Sequence, residues 1–402
     1  MADVDSALFV LTLDDAKPES EEALSRAMLH GDARNRWFDK CFNVIVCANG
    51  KSGVNWEHAW GDGVAVLYFF NEVYKEICTM PARAPSSAAP LAAGSRMEWN
   101  LRDSNITAAM KEAQKYTDSV LAESDLTVYQ SDAFTKDDVK ASNLSPDGIM
   151  QMYVPCPLGA RMHASPRSPS CVGISEGGHM LVHVRRPFTT HAPMRAPTCM
   201  ECRILQLAHW RAHGYMPSTY ESASTAGFKH GRTEVIRSAT EEALAMCKAF
   251  CDRSASVADK FAALSKATSR HRKISMDAIM GKGVDRHLFA LQKWHSVVHG
   301  GAPLPAIFTD PGYATFKDIR LSTSTLASPA LAGGGFGPVS PHSYAIGYGI
   351  EERGAHFHIM NYEHSTTDHA GFIGAVETTL HDFHNVITEA KAQGLVRPVK
   401  GA

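Results

Sequence analysis

Long hydrophobic runs are missing from this 402-residue sequence. No uninterrupted apolar stretch reaches about eighteen residues, which excludes a conventional membrane-spanning helix. Cysteine is scarce, with nine residues spread along the chain, so a disulfide scaffold is excluded and a reducing compartment is expected. An excess of one charge is missing too. The net charge of -2 provides no electrostatic surface for nucleic acid or an anionic membrane.

The amino terminus lacks the composition of a mitochondrial presequence. Such presequences are rich in arginine and poor in acidic residues, whereas MADVDSALFVLTLDD is acidic. We therefore expect either a cytosolic protein or a true start that lies upstream of Met1. What is present fits a globular protein, with 44% hydrophobic and 20% charged residues, and the length predicts two domains.

Local patterns predict a candidate site at a strand-to-helix junction. Residues 42–48 and 52–57 read as two strands of a hairpin. Apolar residues at helical spacing follow over residues 64–73. His58 and Asp62 therefore lie where a strand passes into a helix.

Periodicity predicts further helices and strands along the chain. The helices are expected over residues 103–123, 239–253, 285–299 and 369–391, and the strands over residues 126–130, 343–350 and 355–362. The sequence shows no internal repeat.

One segment differs in composition from its surroundings. Residues 153–203 are rich in Pro, Arg, His and Ser and contain no lysine. The flanking sequences IMQM and LQLAHWRAHG read together as one interrupted helix. We expect 153–203 to be an irregular insert, either a disordered loop or the product of a retained intron. A zinc site formed by Cys199 and Cys202 with Cys156, Cys171 and histidines of the insert is an alternative, although the spacings are irregular and match no standard pattern.

The sharpest local signal is the HxxxDG pattern that runs from His58 through Asp62 to Gly63. Acyl transfer from a thioester to a hydroxyl needs a base for the hydroxyl proton, and a neutral histidine provides one near pH 7. Because the pattern is short, a structural histidine explains it equally well at this point.

Longer motifs surround this pattern. They are NRWFDK (35–40), EHAWGDGVAVLYFFNEV (57–73), TYESASTAGFKHGRTEVIRSA (219–239), DRHLFAL (285–291), LSTSTL (321–326) and FGPV (336–339). In this order they resemble the choline/carnitine acyltransferase family, most closely its mitochondrial inner-membrane palmitoyltransferases. The resemblance covers nearly the whole chain apart from the insert.

The resemblance implies two chloramphenicol-acetyltransferase-like α/β domains, each a mixed sheet flanked by helices, with the active site in a tunnel between them. Residues 1–97 would be the carboxyl-terminal remnant of the first domain and carry the catalytic histidine. Residues 98–152 and 204–402 would form the second domain. Family members carry a long region before NRWFDK, so we expect an incomplete first domain and a truncated or mis-spliced gene model.

The resemblance also implies a reversible carnitine O-acyltransferase that acts on medium or long acyl chains. His58 would be the general base, supported by a pair formed by Asp62 and Arg232. Ser324 would donate to the oxyanion of the tetrahedral intermediate. Gly334 stands where short-chain relatives carry a bulky methionine, so a deep acyl tunnel is expected. An ordinary surface ion pair at Arg232 and a flexible loop at Gly334 are the alternatives.

A carnitine subsite follows from the chemistry of the substrate and from the resemblance. Carnitine has a carboxylate that choline lacks, so a carnitine enzyme needs a cationic or multi-donor group to bind it. Arg286 offers a bidentate guanidinium, and Thr233 offers a hydroxyl. By resemblance, Tyr220 and Ser222 complete this subsite.

Coenzyme A needs local cations for its phosphates. By resemblance, Lys136 and Lys140 match two lysines that reach these phosphates, and Asp147 lies in the pantetheine region. The i, i+4 spacing of the lysines fits a solvated helix face equally well.

The expected partners are acyl-CoA and carnitine, with no nucleic acid, no metal and no cofactor, because acyl-CoA is itself a substrate. We expect a monomer without a transmembrane segment, and peripheral membrane association only in a full-length protein. The resemblance implies the matrix side of the mitochondrial inner membrane, although this chain contains no targeting segment. Two other functions stay open: a catalytically silent fragment that binds CoA or a partner, and an HxxxDG acyltransferase for another alcohol.

Overall fold

The structure, a computed structural model, describes residues 2–79, 94–142, 144, 179–184, 198–325, 328, 330–351, 354–364 and 366–396. The strands are β1 (Val10–Asp14), β2 (Phe42–Cys47), β3 (Ser52–Glu57), β4 (Ser124–Ser131), β5 (His179–Val184), β6 (Thr219–Ser224), β7 (Thr233–Ile236), β8 (Leu321–Ser324), β9 (Leu331–Gly333), β10 (Tyr344–Glu351) and β11 (Gly354–Tyr362). The helices are α1 (Ala2–Ser6), α2 (Glu21–Leu29), α3 (Gly63–Thr79), α4 (Ser104–Ala122), α5 (Lys136–Ala141), α6 (Thr198–His213), α7 (Glu241–Cys251), α8 (Val257–Ile279), α9 (Asp285–His299), α10 (Ala306–Thr309), α11 (Pro311–Lys317) and α12 (His369–Ala392). In these ranges every helix is too short or too polar to cross a membrane.

The strands form two mixed sheets. The first has the order β1-β2-β3-β5-β9, and the second has the order β4-β11-β10-β8-β6-β7. In the first sheet β1 runs parallel to β2, whereas β3 is antiparallel to it. In the second sheet β8 is parallel to both of its neighbours, while β11 is antiparallel to β10. The predicted α/β class with mixed sheets flanked by helices is therefore confirmed.

The main hydrophobic core lies on one face of the second sheet. Helices α6, α7, α8 and α12 contribute to it with side chains such as Leu264 and Phe383, and Ile346 comes from the strands; all three are fully buried. Because side chains alternate along a strand, Tyr220 and Ser324 lie on the opposite face. That opposite face is where the candidate site forms.

Helix α2 packs between the two sheets. Its apolar residues Leu24 and Met28 share a buried cluster with Ile45 of the first sheet and Met360 of the second. The helix begins with a side-chain cap, because the Ser20 hydroxyl accepts from the N–H of residue 23 at 3.0 Å. This packing fixes how the two sheets meet on the β4 side of the second sheet.

Residues 153–203, predicted to be irregular, contain regular structure where they are described. Strand β5 pairs with β3 on one side and β9 on the other. Helix α6 begins at Thr198, and its buried residues Met200 and Ile204 lie one helical turn apart. The prediction of an irregular segment is therefore wrong for 179–184 and for 198–203, because pairing with β3 and burial of a helical face order them. The rest of the insert lies outside the described residues, and the domain boundaries stay a prediction.

Candidate active site

His58 lies directly after β3, in the turn that leads to α3. The fully buried Trp56 anchors the end of the strand, whereas the His58 side chain is 42% exposed. Its Nδ1 lies 3.6 Å from Oδ1 of Asp62, beyond normal hydrogen-bond length but within ion-pair range. A carboxylate beside Nδ1 favours the tautomer with the proton on Nδ1, which leaves Nε2 as the basic atom.

Arg232 joins the His58 turn to the second sheet. Its Nε donates to Oδ2 of Asp62 at 3.1 Å, and its Nη1 and Nη2 donate to the backbone carbonyls of Ala59 at 3.1 Å and His58 at 2.9 Å. Arg232 ends the eight-residue loop, 225–232, between β6 and β7. Gly231 permits that loop, since a Cβ there would lie 1.8 Å from a backbone carbonyl oxygen. The arginine thus holds the backbone of the histidine as well as the carboxylate beside its ring.

Arg286, near the start of α9, forms a second cluster beside the first. Its Nη2 lies 3.2 Å from the Tyr220 hydroxyl and 3.2 Å from the Thr233 hydroxyl. Burial raises the pKa of Tyr220, so its hydroxyl stays neutral and can accept from the guanidinium. The Arg286 side chain is 45% exposed and keeps donors for a ligand. Since Arg232 and Thr233 are consecutive residues, the two clusters are neighbours.

The register of the second sheet places the predicted serines on the same face. Strands β6 and β8 are parallel, with Tyr220 opposite Ser322. Because side chains alternate, Ser222 and Ser324 therefore face the same side as Tyr220. Ser324 in turn lies opposite Gly347 of β10. The sheet brings the predicted oxyanion donor and the predicted carnitine residues onto one surface.

Gly334 lies next to this surface. Its carbonyl oxygen would be 2.0 Å from a Cβ on Gly347, so the close approach of the two backbones depends on glycine. A Cβ on Gly333 would lie 2.4 Å from Nε2 of His358. The glycine segment is therefore packed tightly against β10 and β11, near Ser324. A deep acyl tunnel past Gly334 stays a prediction.

The lysines predicted to bind CoA belong to a different element from the residues of this cluster. Lys136 and Lys140 belong to α5, and the Nζ of Lys140 pairs with Asp137 at 2.8 Å. Among the residues that the structure describes, no hydrogen bond or ion pair connects either lysine to the histidine turn. Asp147 lies outside the described residues. The CoA assignments stay predictions.

A buried polar group lies on the face of the second sheet opposite Tyr220. Of its three members, only Cys202 was named in the sequence analysis, as a possible zinc ligand with other partners. Cys202, Glu221 and His271 place their Sγ, carboxylate oxygen and imidazole nitrogen within 4.8 Å of one another, a donor set that could hold a metal ion. However, Oε2 of Glu221 already pairs with Nε2 of His271 at 2.6 Å. Burial also raises the pKa of the Cys202 thiol, so the thiolate that a metal needs is disfavoured. The three residues come from α6, β6 and α8, so no sequence spacing could indicate them.

Sequence comparisons with known proteins agree on one family. A sequence model of the choline/carnitine O-acyltransferase family matches residues 1–155 and 203–378. The chain is 35% identical over 395 residues to "Carnitine O-palmitoyltransferase 2, mitochondrial" from Xenopus tropicalis, and this match covers 97% of the chain and 52% of that protein. For "Carnitine O-palmitoyltransferase 1, muscle isoform" from Homo sapiens the identity is 27%, over 97% of the chain and 46% of that protein.

The chain thus spans about half the length of the curated relatives it matches. Among solved structures, "Wax ester synthase/diacylglycerol acyltransferase from Marinobacter aquaeolei VT8" covers 94% of the chain and 80% of its own length, with 10% identity. Its TM-score of 0.39 is too low to support an argument about the fold.

Proposed function

Since the chain belongs to the choline/carnitine O-acyltransferase family, we propose that it transfers an acyl group between coenzyme A and the hydroxyl of carnitine. The observation that carries this proposal is that the two clusters of the site are adjacent. Arg232 holds the turn of His58, and the next residue, Thr233, holds Arg286. The proposed base, His58, and the proposed carboxylate-binding residue, Arg286, therefore lie side by side, as transfer to carnitine requires.

In the proposed reaction, Nε2 of His58 takes the proton of the carnitine hydroxyl while the hydroxyl oxygen attacks the thioester carbonyl. The Ser324 hydroxyl donates to the oxyanion of the resulting tetrahedral intermediate. The intermediate collapses with cleavage of the carbon–sulfur bond, and the imidazolium returns its proton to the leaving thiolate. Asp62 stabilises the imidazolium through its position beside Nδ1.

For substrate recognition we propose that Arg286 binds the carnitine carboxylate, with Tyr220 and Thr233 holding its guanidinium in place and Ser222 on the same surface. Lys136 and Lys140 would bind the CoA phosphates, with Asp147 beside the pantetheine arm. The names of the palmitoyltransferase relatives support a medium or long acyl group, which would pass Gly334. The same names support a mitochondrial location, for which we propose the matrix side of the inner membrane.

The test is a CoA-release assay with palmitoyl-CoA and carnitine. We expect carnitine-dependent release by the unaltered chain and a loss of about 100- to 10,000-fold in kcat for His58→Ala, the usual range for a general base. His381→Ala, on the exposed face of α12, is the matched control and should stay within about twofold.

Two results would contradict the proposal. Release that does not depend on carnitine would point to another alcohol as acceptor. A folded chain that binds CoA in a calorimeter but releases none from palmitoyl-CoA would support the alternative of a catalytically silent binding protein.

A further inference from the structure

Helix α9, which carries Arg286, begins without a side-chain cap of its own. Its N-cap residue, Val284, makes no side-chain hydrogen bond. The first N–H groups of a helix have no partner within the helix, so they need acceptors from elsewhere. For the N–H of Arg286 that acceptor comes from another element: Oε1 of Glu234 in β7, at 3.2 Å.

Glu234 is fixed by its surroundings. It is 6% exposed, and Oε1 also accepts the N–H of Val235 at 2.7 Å. Gly283 leaves room for it, because a Cβ at that position would lie 2.2 Å from Cγ of Glu234. A carboxylate at a helix N-terminus is further favoured by the helix dipole.

Strand β7 and the residue after it therefore hold the start of α9 at three points. Thr233 accepts from the guanidinium of Arg286, and Glu234 accepts from its backbone N–H. Arg237 donates from Nε to Oδ2 of Asp285 at 2.9 Å. Because Thr233 and Glu234 are adjacent, the side chain and the backbone of Arg286 are positioned by the same strand.

We propose that Glu234 is a positioning residue for carnitine: it fixes the start of α9 so that the Arg286 guanidinium stays beside Tyr220 and Thr233, ready for the carboxylate. This inference rests on the function proposed above. Glu234 would not touch the substrate, because it lies opposite Ala223 in β6 and its side chain is therefore on the other face of the sheet from Tyr220. Its effect should therefore fall on carnitine binding and spare acyl-CoA binding.

The test compares Glu234→Ala, Glu234→Gln and Gly283→Ala in the CoA-release assay. Glu234→Ala removes the acceptor and should raise the KM for carnitine about five- to tenfold, the size expected for a lost helix cap. The KM for palmitoyl-CoA and kcat should stay within about twofold. Glu234→Gln keeps an oxygen acceptor and should restore the carnitine KM to within about twofold of the unaltered chain.

Gly283→Ala removes no polar group, but its new Cβ must displace Glu234, so it should reproduce the selective rise in carnitine KM. Gly301→Ala is the matched control just beyond the other end of α9. A Cβ there meets nothing within 4 Å, and no change is expected.

Amide hydrogen exchange over residues 285–291 gives a readout that does not need turnover. Exchange should accelerate in Glu234→Ala and Gly283→Ala and not in Glu234→Gln. Equal losses in both KM values and kcat, or a Glu234→Gln variant as impaired as Glu234→Ala, would overturn the positioning role. If the unaltered chain releases no CoA, the proposed function fails and the carnitine role fails with it. The exchange data then test only whether Glu234 holds the start of α9, and unchanged exchange in Glu234→Ala overturns that part too.

Discussion

The two sheets differ in how completely their apolar side chains are covered. Among the side chains that the structure describes, the cluster on the helical face of the second sheet contains 28 buried residues, whereas the one formed by β3, α3 and the residues at β9 contains 6. On the first sheet Leu11 and Leu13 are 58% and 77% exposed, and Phe69 of α3 is 43% exposed. The candidate base follows β3 of this less covered sheet, and the carnitine residues lie on the face of the second sheet opposite its main core or on α9, which has no buried residue. Substitutions in the main core should therefore change stability, and substitutions at the site should change catalysis.

The largest expected effect is a difference in unfolding free energy between a substitution in the main core and one beside the first sheet. Phe383 of α12 is fully buried and packs against Phe134 and Phe250, with ring centroids 6.4 and 5.0 Å away. Phe383→Ala should reduce the free energy of unfolding by about 3–5 kcal/mol, measured in urea. The matched Phe69→Ala, on the less covered side, should cost about 1 kcal/mol or less. Equal losses would remove the contrast between the regions.

A second prediction concerns Arg232, which joins the His58 turn to the second sheet. Arg232→Ala removes the hydrogen bonds to Asp62 and to the backbone of His58, so kcat should fall about 10- to 100-fold. The unfolding free energy should change little, because the side chain is half exposed. Arg34→Ala is the control: Arg34 is equally exposed and pairs with Asp118. A comparable loss of kcat in both variants would show a general charge effect.

A third prediction concerns the proposed carnitine subsite, away from the main core. Arg286→Asn shortens the side chain and removes the cation proposed to bind the carnitine carboxylate. The KM for carnitine should rise about tenfold or more, with the KM for palmitoyl-CoA unchanged, in steady-state kinetics. Parallel increases in both constants would count against the assignment of this subsite.

A fourth prediction sharpens the comparison through pH. His209 of α6 lies in the well-covered region, and burial lowers its pKa to about 3. Below pH about 6.5 the unfolded chain binds a proton there that the folded chain does not, so stability falls as pH decreases from 6.5 toward 3, by up to about 1.4 kcal/mol per pH unit. His209→Gln should give a shallower dependence of the unfolding free energy between pH 7 and 5. An unchanged slope would contradict the prediction.

Elements with strong local signals could be predicted from the sequence. The hairpin strands at 42–47 and 52–57 and helix α9 at 285–299 occur nearly where the periodicity indicated them. Long motifs also led to Asp62 and Arg232, which the structure brings into contact across 170 residues. Both predictions depend on signals within short stretches of chain, namely hydrophobic periodicity and sequence motifs.

Features that depend on distant partners were missed. Helix α8, with 23 residues, was not predicted, because its buried face contains Thr268, His271 and Ser275 and so lacks a continuous apolar stripe. Its capping box at Ser256 and Asp259 was the signal available. Glu234 was missed for a related reason: it caps a helix that starts some fifty residues later, and no local pattern marks such a contact.

The short connection between β8 and β9 links the two sheets that carry the site. Only residues 325–330 separate Ser324 in the second sheet from Leu331 in the first. Fully stretched, that segment spans at most about 25 Å. If the contacts of Arg232 open while β9 stays paired, the serine and the sheet of the histidine remain at an effective concentration on the order of millimolar. Reassembly of the site is then an intramolecular event, and its rate should not depend on protein concentration.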